Sequence, residues 1–473
     1  MALLVTRAHL ITMAPGVADC GLLPDGWMLV EHGRITATGA GDPPAVPGAR
    51  VLDVGGAFVA PGFVSAHSHL FTSGARGLGA DETLYGWCDE MLGLMGGATP
   101  ETYYWTTLHG ALDFIAGGTT TAFDFTDPRI SWDRDGSPRF VRDGVDRSAD
   151  AADAVAPSEP ELRPLQHQLA QIDGKAAAGI RFLNAASLDD AIGTDDEVLE
   201  RFGAMVEYTR SLDRSFALDA AIMGAVQWSD RPNAAALEVA AMRRYGVINQ
   251  AHFLETREAV EAQRTKFAAY EQAGALGPDL IFGHFIQTTP QIIATAAAGG
   301  ASMSWQPASN GRLASGVADL PAILAAGMPV GMGLDDQACT DIADPWQNMR
   351  MGMALVRAAT GRPASMLPEQ VLRLHTEGSA RILGLAGQVG ALTTGAHADF
   401  LVVDPRSPDV GPLWRPVRSY VLACGQRNLK QVYIGGELVA EDGVSLNPLA
   451  ADASAAVHRL MPIAAERTGR PPR

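Results

Sequence analysis

Three features of the sequence predict an α/β protein with a (β/α)8 barrel and a small β-sandwich formed from both chain ends. Short apolar runs alternate with helix-like stretches through the middle of the chain, which is typical of parallel βαβ units. Several of these runs end in a histidine or a carboxylate, and in such barrels the functional residues lie at the carboxyl ends of the strands. Both chain ends alternate apolar and polar residues between glycine-bearing turns, which predicts β hairpins.

The length of 473 residues and the hydrophobic content of 47% allow a large core divided between two domains. A barrel takes roughly 250–350 residues, which leaves about a hundred for the second domain. We therefore predict a barrel over residues 59–386 and a β-sandwich from residues 1–58 and 387–473.

The first barrel strand is predicted to end in two histidines separated by one residue. The run Pro61–His69 is apolar until it closes in His67 and His69. Because residues i and i+2 of a strand point to the same face, both imidazoles can bind one ion. Neutral imidazole is the commonest metal ligand, and an open metal site makes hydroxide available at neutral pH. Such a pair alone is a weak signal of a metal site, and residues in later segments of the chain strengthen it.

Three later strand-like segments also end in residues that a metal hydrolase needs. Each is a short apolar run with a histidine or a carboxylate at its carboxyl end or just beyond it. The carboxyl ends of barrel strands meet at one face, so these residues are expected to lie together. The segments are residues 246–255 with His252 and Glu255, residues 280–284 with His284, and residues 328–335 with Asp335.

The order of these motifs resembles the amidohydrolase superfamily, within it the branch of mononuclear cytosine, guanine and adenosine-type deaminases and triazine hydrolases. The resemblance covers nearly the whole chain and rests on eight motifs in the family's order. They are PGFVSAHSHL from residue 61, ARGLGADETLYGW from 75, GGTTTAFDF from 117, HFLET from 252, GHF from 283, PASNGRLASG from 307, VGMGLDD from 330 and GALTTGAHADFLVVD from 390.

The resemblance implies one divalent metal ion in the barrel. Three imidazoles and one carboxylate suit zinc or iron, and we take zinc as the first choice and iron as the alternative. Two-metal relatives carry a bridging lysine on the fourth strand, whereas the candidate fourth strand, residues 215–224, contains no lysine and offers only Asp219 as a substitute. The implied ligands are His67, His69, His252 and Asp335.

The resemblance also implies a metal-dependent deaminase mechanism with three catalytic residues. A metal lowers the pKa of bound water towards ~7, and the resulting metal-bound hydroxide attacks an electron-poor ring carbon. Asp335 would take the water proton, His284 would stabilise the developing charge, and Glu255 would protonate the ring nitrogen and the leaving amine. We therefore predict removal of ammonia from an amino-substituted N-heterocycle: a pterin, pyrimidine, triazine or modified purine.

Substrate contacts are predicted from the loops of the catalytic face. Relatives usually carry a histidine-bearing segment after the fourth strand, but residues 222–228 contain no histidine, which puts purine and adenosyl substrates in doubt. The amide of Gln227 and the indole of Trp228 can replace the contact that this histidine would make with the substrate. Asp336 is predicted either to contact a substrate amine or to cap the following turn, and Asn310 to hold its loop. The predicted substrate contacts are Arg76, Trp87, Gln227, Trp228 and Asp336.

Two other functions stay open at this point. One is a hydrolase on the same scaffold that cleaves a ring carbon–chlorine bond or an amide or urea C–N bond of a small heterocyclic or aromatic compound. The other is a metal-free scaffold protein. Glu255 favours deamination, because a leaving ammonia must be protonated whereas chloride need not be. The complete ligand set argues against the scaffold.

Composition limits the partners. The net charge of −17 makes nucleic acid and anionic membrane surfaces poor partners. No apolar run approaches the ~20 residues of a membrane span, and the first residues are too short for a signal sequence. Four cysteines without paired spacing fit reduced thiols. We predict a cytoplasmic enzyme with a small heterocyclic substrate and, by family analogy alone, a homo-oligomer, either a dimer or a tetramer.

One segment differs in composition from its surroundings. Residues 127–163 are rich in Asp, Arg, Ser and Pro and follow the second predicted strand, so they would lie on the catalytic face. Long loops in compact domains are often functional, which favours a lid or a subunit contact over a solvated insertion.

Overall fold

Two β-sheets organise the computed structural model, which describes residues 2–131 and 160–469. One sheet has eight parallel strands from the middle of the chain, and the other has nine strands from the two ends. The lid or subunit contact predicted for residues 127–163 lies, from residue 132 to residue 159, outside the described residues.

The strands are numbered in chain order. They are β1 (Leu3–Ile11), β2 (Leu22–Glu31), β3 (Arg34–Ala40), β4 (Arg50–Asp53), β5 (Phe58–Pro61), β6 (Phe63–Ser68), β7 (Thr119–Phe125), β8 (Arg181–Ala186), β9 (Ala217–Gly224), β10 (Asn249–Phe253), β11 (Leu280–His284), β12 (Ser302–Trp305), β13 (Val330–Met332), β14 (Phe400–Val403), β15 (Leu429–Ile434), β16 (Glu437–Glu441) and β17 (Val444–Ser445).

The α-helices follow the same convention. They are α1 (Leu84–Met95), α2 (Pro100–Ala116), α3 (Gln166–Ala178), α4 (Asp195–Ser211), α5 (Ala234–Tyr245), α6 (Val260–Thr265), α7 (Phe267–Gln272), α8 (Pro290–Gly299), α9 (Pro307–Arg312), α10 (Leu320–Ala325), α11 (Pro345–Thr360), α12 (Pro368–Arg373), α13 (Ser379–Ile382), α14 (Pro416–Leu422) and α15 (Ala450–Thr468). None of these described helices combines the length and the apolar character that crossing a membrane requires.

Local sequence signals define where several helices begin. Thr99, Thr289 and Asp344 each accept a hydrogen bond from the backbone N–H three residues further on. A proline follows each of these caps at the first helical position, where its missing N–H costs nothing and its fixed φ suits a helix. These signals determine where α2, α8 and α11 begin.

Strands β6 to β13 form the predicted parallel barrel. Each strand pairs with the next in chain order, and β13 returns to β6 through two hydrogen bonds rather than a ladder. The Asp335 N–H donates to the carbonyl of His67 over 3.0 Å, and the Leu334 N–H donates to Oγ of Ser65 over 3.0 Å. Every residue of β6 and β7 is buried, because helices cover the outer face and side chains fill the interior. The barrel prediction is confirmed.

The two chain ends share the second sheet, as predicted. Strand β5 pairs with β1 on one side and with β14, from the other end of the chain, on the other side. The Ile35 N–H, in β3, donates to the carbonyl of Ala396, just before β14, over 2.9 Å. Since β3 lies four places from β14 along the sheet, this bond means that the sheet rolls back on itself. The predicted sandwich therefore takes the form of one continuous sheet around its own apolar core.

The sheet of the chain ends reaches slightly beyond the predicted limit at residue 58. Strand β5 continues to Pro61, and β6 begins at Phe63, so only Gly62 separates the two sheets. The barrel limits of 59 and 386 otherwise stay predictions.

One buried ion pair joins the two sheets. Arg181, in β8, donates through Nε and Nη2 to the two carboxylate oxygens of Asp399 over 2.6 and 2.9 Å. Asp399 also accepts the N–H of Gly435 over 2.8 Å. The side chains are only 2% and 3% exposed, so loss of either partner leaves a buried charge without compensation.

Replacing Asp399 with alanine is expected to lower the free energy of unfolding by about 3–5 kcal/mol, the usual cost of breaking a buried ion pair. Urea denaturation followed by circular dichroism measures it. Asp404→Ala is the control, because Asp404 pairs with an Arg406 side chain that is 65% exposed, and it should cost less than about 1 kcal/mol. Equal losses in the two variants would contradict a special role for the pair between the sheets.

Candidate metal centre

The barrel brings the predicted metal ligands and catalytic residues to one place, at the carboxyl ends of its strands. His67 and His252 lie within β6 and β10, and His284 is the last residue of β11. The other three lie within three residues of the end of a strand: His69 after β6, Glu255 after β10 and Asp335 after β13. All of these side chains are buried except that of His69, which is 16% exposed.

The distances within the cluster suit a shared ion. The Nε2 atoms of His69 and His252 are 3.1 Å apart. Oδ1 of Asp335 lies 3.6 Å from Nε2 of His67 and 3.7 Å from Nε2 of His69. Potential ligand atoms of His67, His69 and Asp335 all lie within 4.8 Å of one another. The four side chains therefore converge closely enough to surround one ion.

The chemistry of the cluster fits a divalent metal. Nε2 of His67 is fully buried and has no hydrogen-bond partner, and an unsatisfied buried polar atom costs about 1–3 kcal/mol. Burial lowers the pKa of His67 to about 3. Burial, with neighbouring imidazoles adding to it, also lowers the pKa values of His69 and His252 well below the ordinary range. All three imidazoles are thus neutral at physiological pH, the form that binds metals.

Asp219, considered for a second metal, lies elsewhere. Its carboxylate is about a third exposed and accepts a hydrogen bond from Nε of Arg210 over 2.8 Å. Arg214 approaches the same carboxylate to 3.6 Å. The structure therefore does not bring Asp219 to the histidines.

Closure of the barrel at the cluster depends on Gly333. A Cβ at this position would lie 2.6 Å from Cβ of His67 and 2.8 Å from its backbone N and O. Approaches below 3 Å to backbone atoms cannot be relieved by rotating a side chain. Only glycine therefore lets β13 pass close enough to β6 for Asp335 to reach the histidines.

Two cluster residues have an unusual backbone. Asp335 and His284 adopt φ values of 63° and 64°, in the left-handed region that few non-glycine residues occupy. Hydrogen bonds hold both: the Asp335 N–H donates to His67, and the His284 N–H donates to Oε1 of Gln306 over 3.0 Å. Backbone strain of this kind concentrates at functional sites, where the surrounding structure maintains it.

Two amide side chains contact the imidazoles from behind. Oε1 of Gln250 lies 2.6 Å from Nδ1 of His67. Asn310, expected to hold its loop, donates through Nδ2 to Nδ1 of His284 over 2.8 Å. Gln250 is not among the site residues predicted from the sequence. Its spacing of two residues from His252, which puts both side chains on one face of β10, is the signal that indicates it.

Glu255, the predicted proton shuttle, lies next to His284, the predicted stabiliser of the developing charge. Oε2 of Glu255 lies 3.4 Å from Nε2 of His284, and Oδ2 of Asp335 lies 4.0 Å from the same nitrogen. Burial, followed by the negative charges of Asp335 and Asp336, raises the pKa of Glu255 well above its ordinary value. Both effects favour the neutral, protonated form of Glu255. Burial lowers the pKa of His284, which keeps this imidazole neutral.

A cavity of about 490 Å³ extends from the cluster and has the volume of a small-molecule site. One wall is apolar, and carboxylates after β7 and β8 lie at another part of the lining. These acidic residues are not among the predicted substrate contacts, although their positions just beyond two barrel strands are a signal that indicates them. The apolar wall includes Phe71, Leu84, Trp87, Met91 and Trp228, and the carboxylates include Asp127, Asp189 and Asp190.

Two of the predicted substrate contacts line this cavity. The Trp228 ring lies 5.4 Å from the imidazole of His252. The indole N–H of Trp87 donates to the carbonyl of Ala338 over 3.0 Å, which fixes the orientation of its ring. Both indoles offer flat apolar surface beside the metal ligands.

The other three predicted contacts are engaged elsewhere and are not among the described residues that line the cavity. Arg76 donates to Asp113 over 2.6 Å. Oε1 of Gln227 accepts the N–H of Leu254 over 2.8 Å, which ties the loop after β9 to the end of β10. Oδ1 of Asp336 accepts the N–H groups of residues 338 and 339, both over 2.7 Å, so Asp336 caps the turn, the second of its two predicted roles.

Comparison with known proteins places this geometry in a family. The amidohydrolase family profile matches residues 58–439, and the chain belongs to the amidohydrolase family. A 5-methylthioadenosine/S-adenosylhomocysteine deaminase of Syntrophobacter fumaroxidans is 28% identical over 454 residues, covering 93% of each chain. An S-triazine hydrolase of Gordonia rubripertincta is 28% identical over 284 residues, covering 59% of this chain and 57% of the relative.

Solved structures agree on the fold. A zinc-bound adenosine deaminase from Xanthomonas campestris superposes with a TM-score of 0.81 at 21% identity, covering 98% of both chains. A zinc complex of atrazine chlorohydrolase from Arthrobacter aurescens gives a TM-score of 0.78 at 19% identity, covering 97% of this chain and all of the other. The predicted family and fold class are confirmed, and with the family the expected class of enzyme, a hydrolase of C–N bonds.

Replacing Gly333 with alanine is expected to cost about 1–3 kcal/mol of stability through overpacking. It should also weaken the binding of added zinc, because His67 must move to make room. Chelator competition measures zinc affinity, and urea denaturation measures stability. Gly277→Ala is the matched control, since the nearest atom to its new Cβ is 4.0 Å away. Unchanged zinc affinity in Gly333→Ala would contradict the role given to the close approach.

Proposed function

We propose that this protein is a metal-dependent aminohydrolase that removes ammonia from an amino-substituted N-heterocycle. The observation that carries the proposal is the position of the buried Glu255 carboxyl, 3.4 Å from His284 and beside the ligand cluster in the cavity. Hydrolysis of a ring C–NH2 bond needs a group that delivers a proton to the departing amine, and Glu255 is such a group. The deaminases among the relatives support the same reaction.

The ligands would be His67, His69, His252 and Asp335. Their donor set suits zinc, which we propose as the native ion, and also iron. When bound, the ion lowers the pKa of a water molecule and so supplies the nucleophile at neutral pH. The zinc bound to the adenosine deaminase of the same fold supports the choice of zinc.

Proton transfers in the proposed reaction belong to two carboxyl groups. Glu255 starts protonated and gives its proton to the ring nitrogen as water adds to the ring carbon. Asp335 takes a proton from that water at Oδ2, the atom that faces His284. Glu255, now ionised, takes the remaining proton of the added hydroxyl and passes it to the amine. The C–N bond breaks, ammonia leaves, a carbonyl forms on the ring, and the proton held by Asp335 returns to Glu255. The heterocycle and one water molecule together supply every atom of the two products.

His284 is proposed to stabilise the oxygen that develops negative charge. Asn310 donates to Nδ1 of His284, so in the neutral imidazole the single proton lies on Nε2. That nitrogen faces Glu255 and Asp335, on the reacting side of the ring. A fixed N–H donor in a buried site stabilises a developing oxyanion more than water does.

The substrate class follows from the cavity and the relatives. Trp87 and Trp228 provide surfaces on which a flat heterocycle can stack. The histidine expected after the fourth strand for purine substrates is absent, yet relatives covering 93% of this chain are named for adenosine derivatives. Adenosine-type and triazine rings are therefore the first candidates for the substrate. A homo-oligomeric assembly and a cytoplasmic location stay predictions.

Ammonia release is the first test, measured on zinc-loaded protein with aminated purines, adenosine derivatives, triazines, pyrimidines and pterins. We expect release from one ring class, and a fall in kcat of roughly 10²- to 10⁴-fold in Glu255→Gln with zinc affinity retained. Glu261→Gln, whose side chain is 81% exposed, is the control and should match the wild type. Release of chloride from a chlorinated ring, without ammonia from any amine, would favour the alternative hydrolase.

Metal removal is the second test. Dialysis against a strong chelator is expected to abolish ammonia release, and one equivalent of zinc per chain should restore it. The metal-free protein should also unfold at a lower temperature, because an ion that binds only the folded state stabilises it. Elemental analysis and thermal denaturation measure both effects. If ferrous iron alone restored activity, iron rather than zinc would be the native ion. Full activity without any metal would refute the proposed metal centre.

A further inference from the structure

We propose that Gln250 is a positioning residue that holds His67 in the tautomer required of a metal ligand. Its amide bridges the carbonyl of Ala66 and Nδ1 of His67, and thereby leaves the lone pair of His67 Nε2 for an ion. The inference rests on the metal centre of the proposed function and goes beyond the ligands and catalytic groups named there.

The hydrogen bonds of Gln250 define the direction of its amide. The carbonyl oxygen of Ala66 can only accept, so the group 2.8 Å from it must be the Nε2 amide of Gln250, which donates. Oε1 of Gln250 then faces Nδ1 of His67 at 2.6 Å. A carbonyl oxygen also only accepts, so Nδ1 of His67 must carry a proton. A neutral imidazole has one N–H, and Nε2 is therefore unprotonated.

The free lone pair points to the place where the other ligands meet. Nε2 of His67 is buried without a hydrogen-bond partner and lies 3.6 Å from Oδ1 of Asp335. In the opposite tautomer, Nε2 would carry a proton that points to the place of the ion, and its lone pair would not be free to bind the ion. Nδ1 would then set its lone pair against the oxygen of Gln250, which is repulsive. The amide therefore favours the ligand tautomer on both sides of the ring.

The surroundings leave Gln250 little freedom. Its side chain is fully buried, and it lies two residues before His252 on the same face of β10. A Cβ at Gly283 would come within 3.1 Å of Nδ1 of His67, so the ring is closely packed on that side as well. Strand β10 thus supplies one ligand directly and orients a second ligand that belongs to β6.

Asn310 makes the opposite contact to His284, which explains how two buried imidazoles of one cluster take different roles. Gln250 presents an acceptor oxygen to His67, whereas Asn310 presents a donor nitrogen to His284. The first ring therefore directs a lone pair into the site, and the second directs a proton.

Two variants of Gln250 separate this role from simple packing. Gln250→Met keeps the length of the side chain and removes both polar atoms. Gln250→Glu keeps an acceptor oxygen for Nδ1 of His67 and loses the bond to Ala66. Loss of an outer partner of a metal-binding histidine typically weakens metal affinity by roughly 10- to 100-fold. We expect a loss of this size in Gln250→Met, and an affinity within a few-fold of the wild type in Gln250→Glu.

Gln171→Leu serves as the matched control. Gln171 is also a buried glutamine with two hydrogen bonds, to the carbonyl of His167 over 2.8 Å and from the N–H of Asp127 over 2.9 Å. It contacts no proposed ligand, so its loss should lower stability and leave zinc affinity unchanged.

Zinc dissociation constants are measured by competition with a chromophoric chelator, and thermal denaturation of the metal-free proteins follows folding. Wild-type affinity in Gln250→Met would overturn the proposal, as would equal losses in the Met and Glu variants when both are folded. If the Met variant does not fold, Gln250→Ala takes its place in the same comparison. A wild-type protein that binds no zinc would instead refute the metal centre itself, so the two failures are distinguishable.

Discussion

The contact between β13 and β6 is the constraint on which the rest of the site depends. The hydrogen bond from Asp335 to the carbonyl of His67 closes the barrel and sets the carboxylate beside the histidines at once. Gly333 makes the approach sterically feasible, and the left-handed backbone of Asp335 completes it. A barrel that closed less tightly at this seam would leave the carboxylate and the imidazoles too far apart to share an ion.

The interior of the site is arranged for chemistry at a cost in stability. Three carboxyl groups, those of Glu255, Asp335 and Asp336, share a buried region with four imidazoles, and Nε2 of His67 and Nδ1 of His252 have no hydrogen-bond partner there. Desolvation favours neutral imidazoles and a protonated Glu255, which reduces the repulsion between like charges. A divalent cation supplies positive charge and a partner for Nε2 of His67. Elsewhere the structure compensates its buried charges directly, as Arg181 and Asp399 do.

The site residues that could be predicted from the sequence are those whose signal is local or depends on the order of motifs along the chain. His67, His252 and Asp335 each close an apolar strand, and their order identified the fold and the family. Features that depend on contacts between distant segments could not be predicted in this way. The ion pair that takes Arg76 away from the cavity needs Asp113 from α2, and the amide that orients His67 comes from another strand. The rolling of the end sheet depends likewise on a bond from Ile35 to Ala396.

The single residue between β5 and β6 has a consequence for how the protein is made. Strand β5 pairs with β14, so the segment that leads directly into His67 completes its hydrogen bonding only with residues near the opposite end of the chain. A growing chain on the ribosome lacks that partner until all eight barrel strands have been translated. Contacts between such distant segments form slowly, because much loop-closure entropy is lost before they are made. The strand that leads into His67 is therefore completed only after the barrel strands have been made, which makes this pairing a late contact in the folding of the newly synthesised chain.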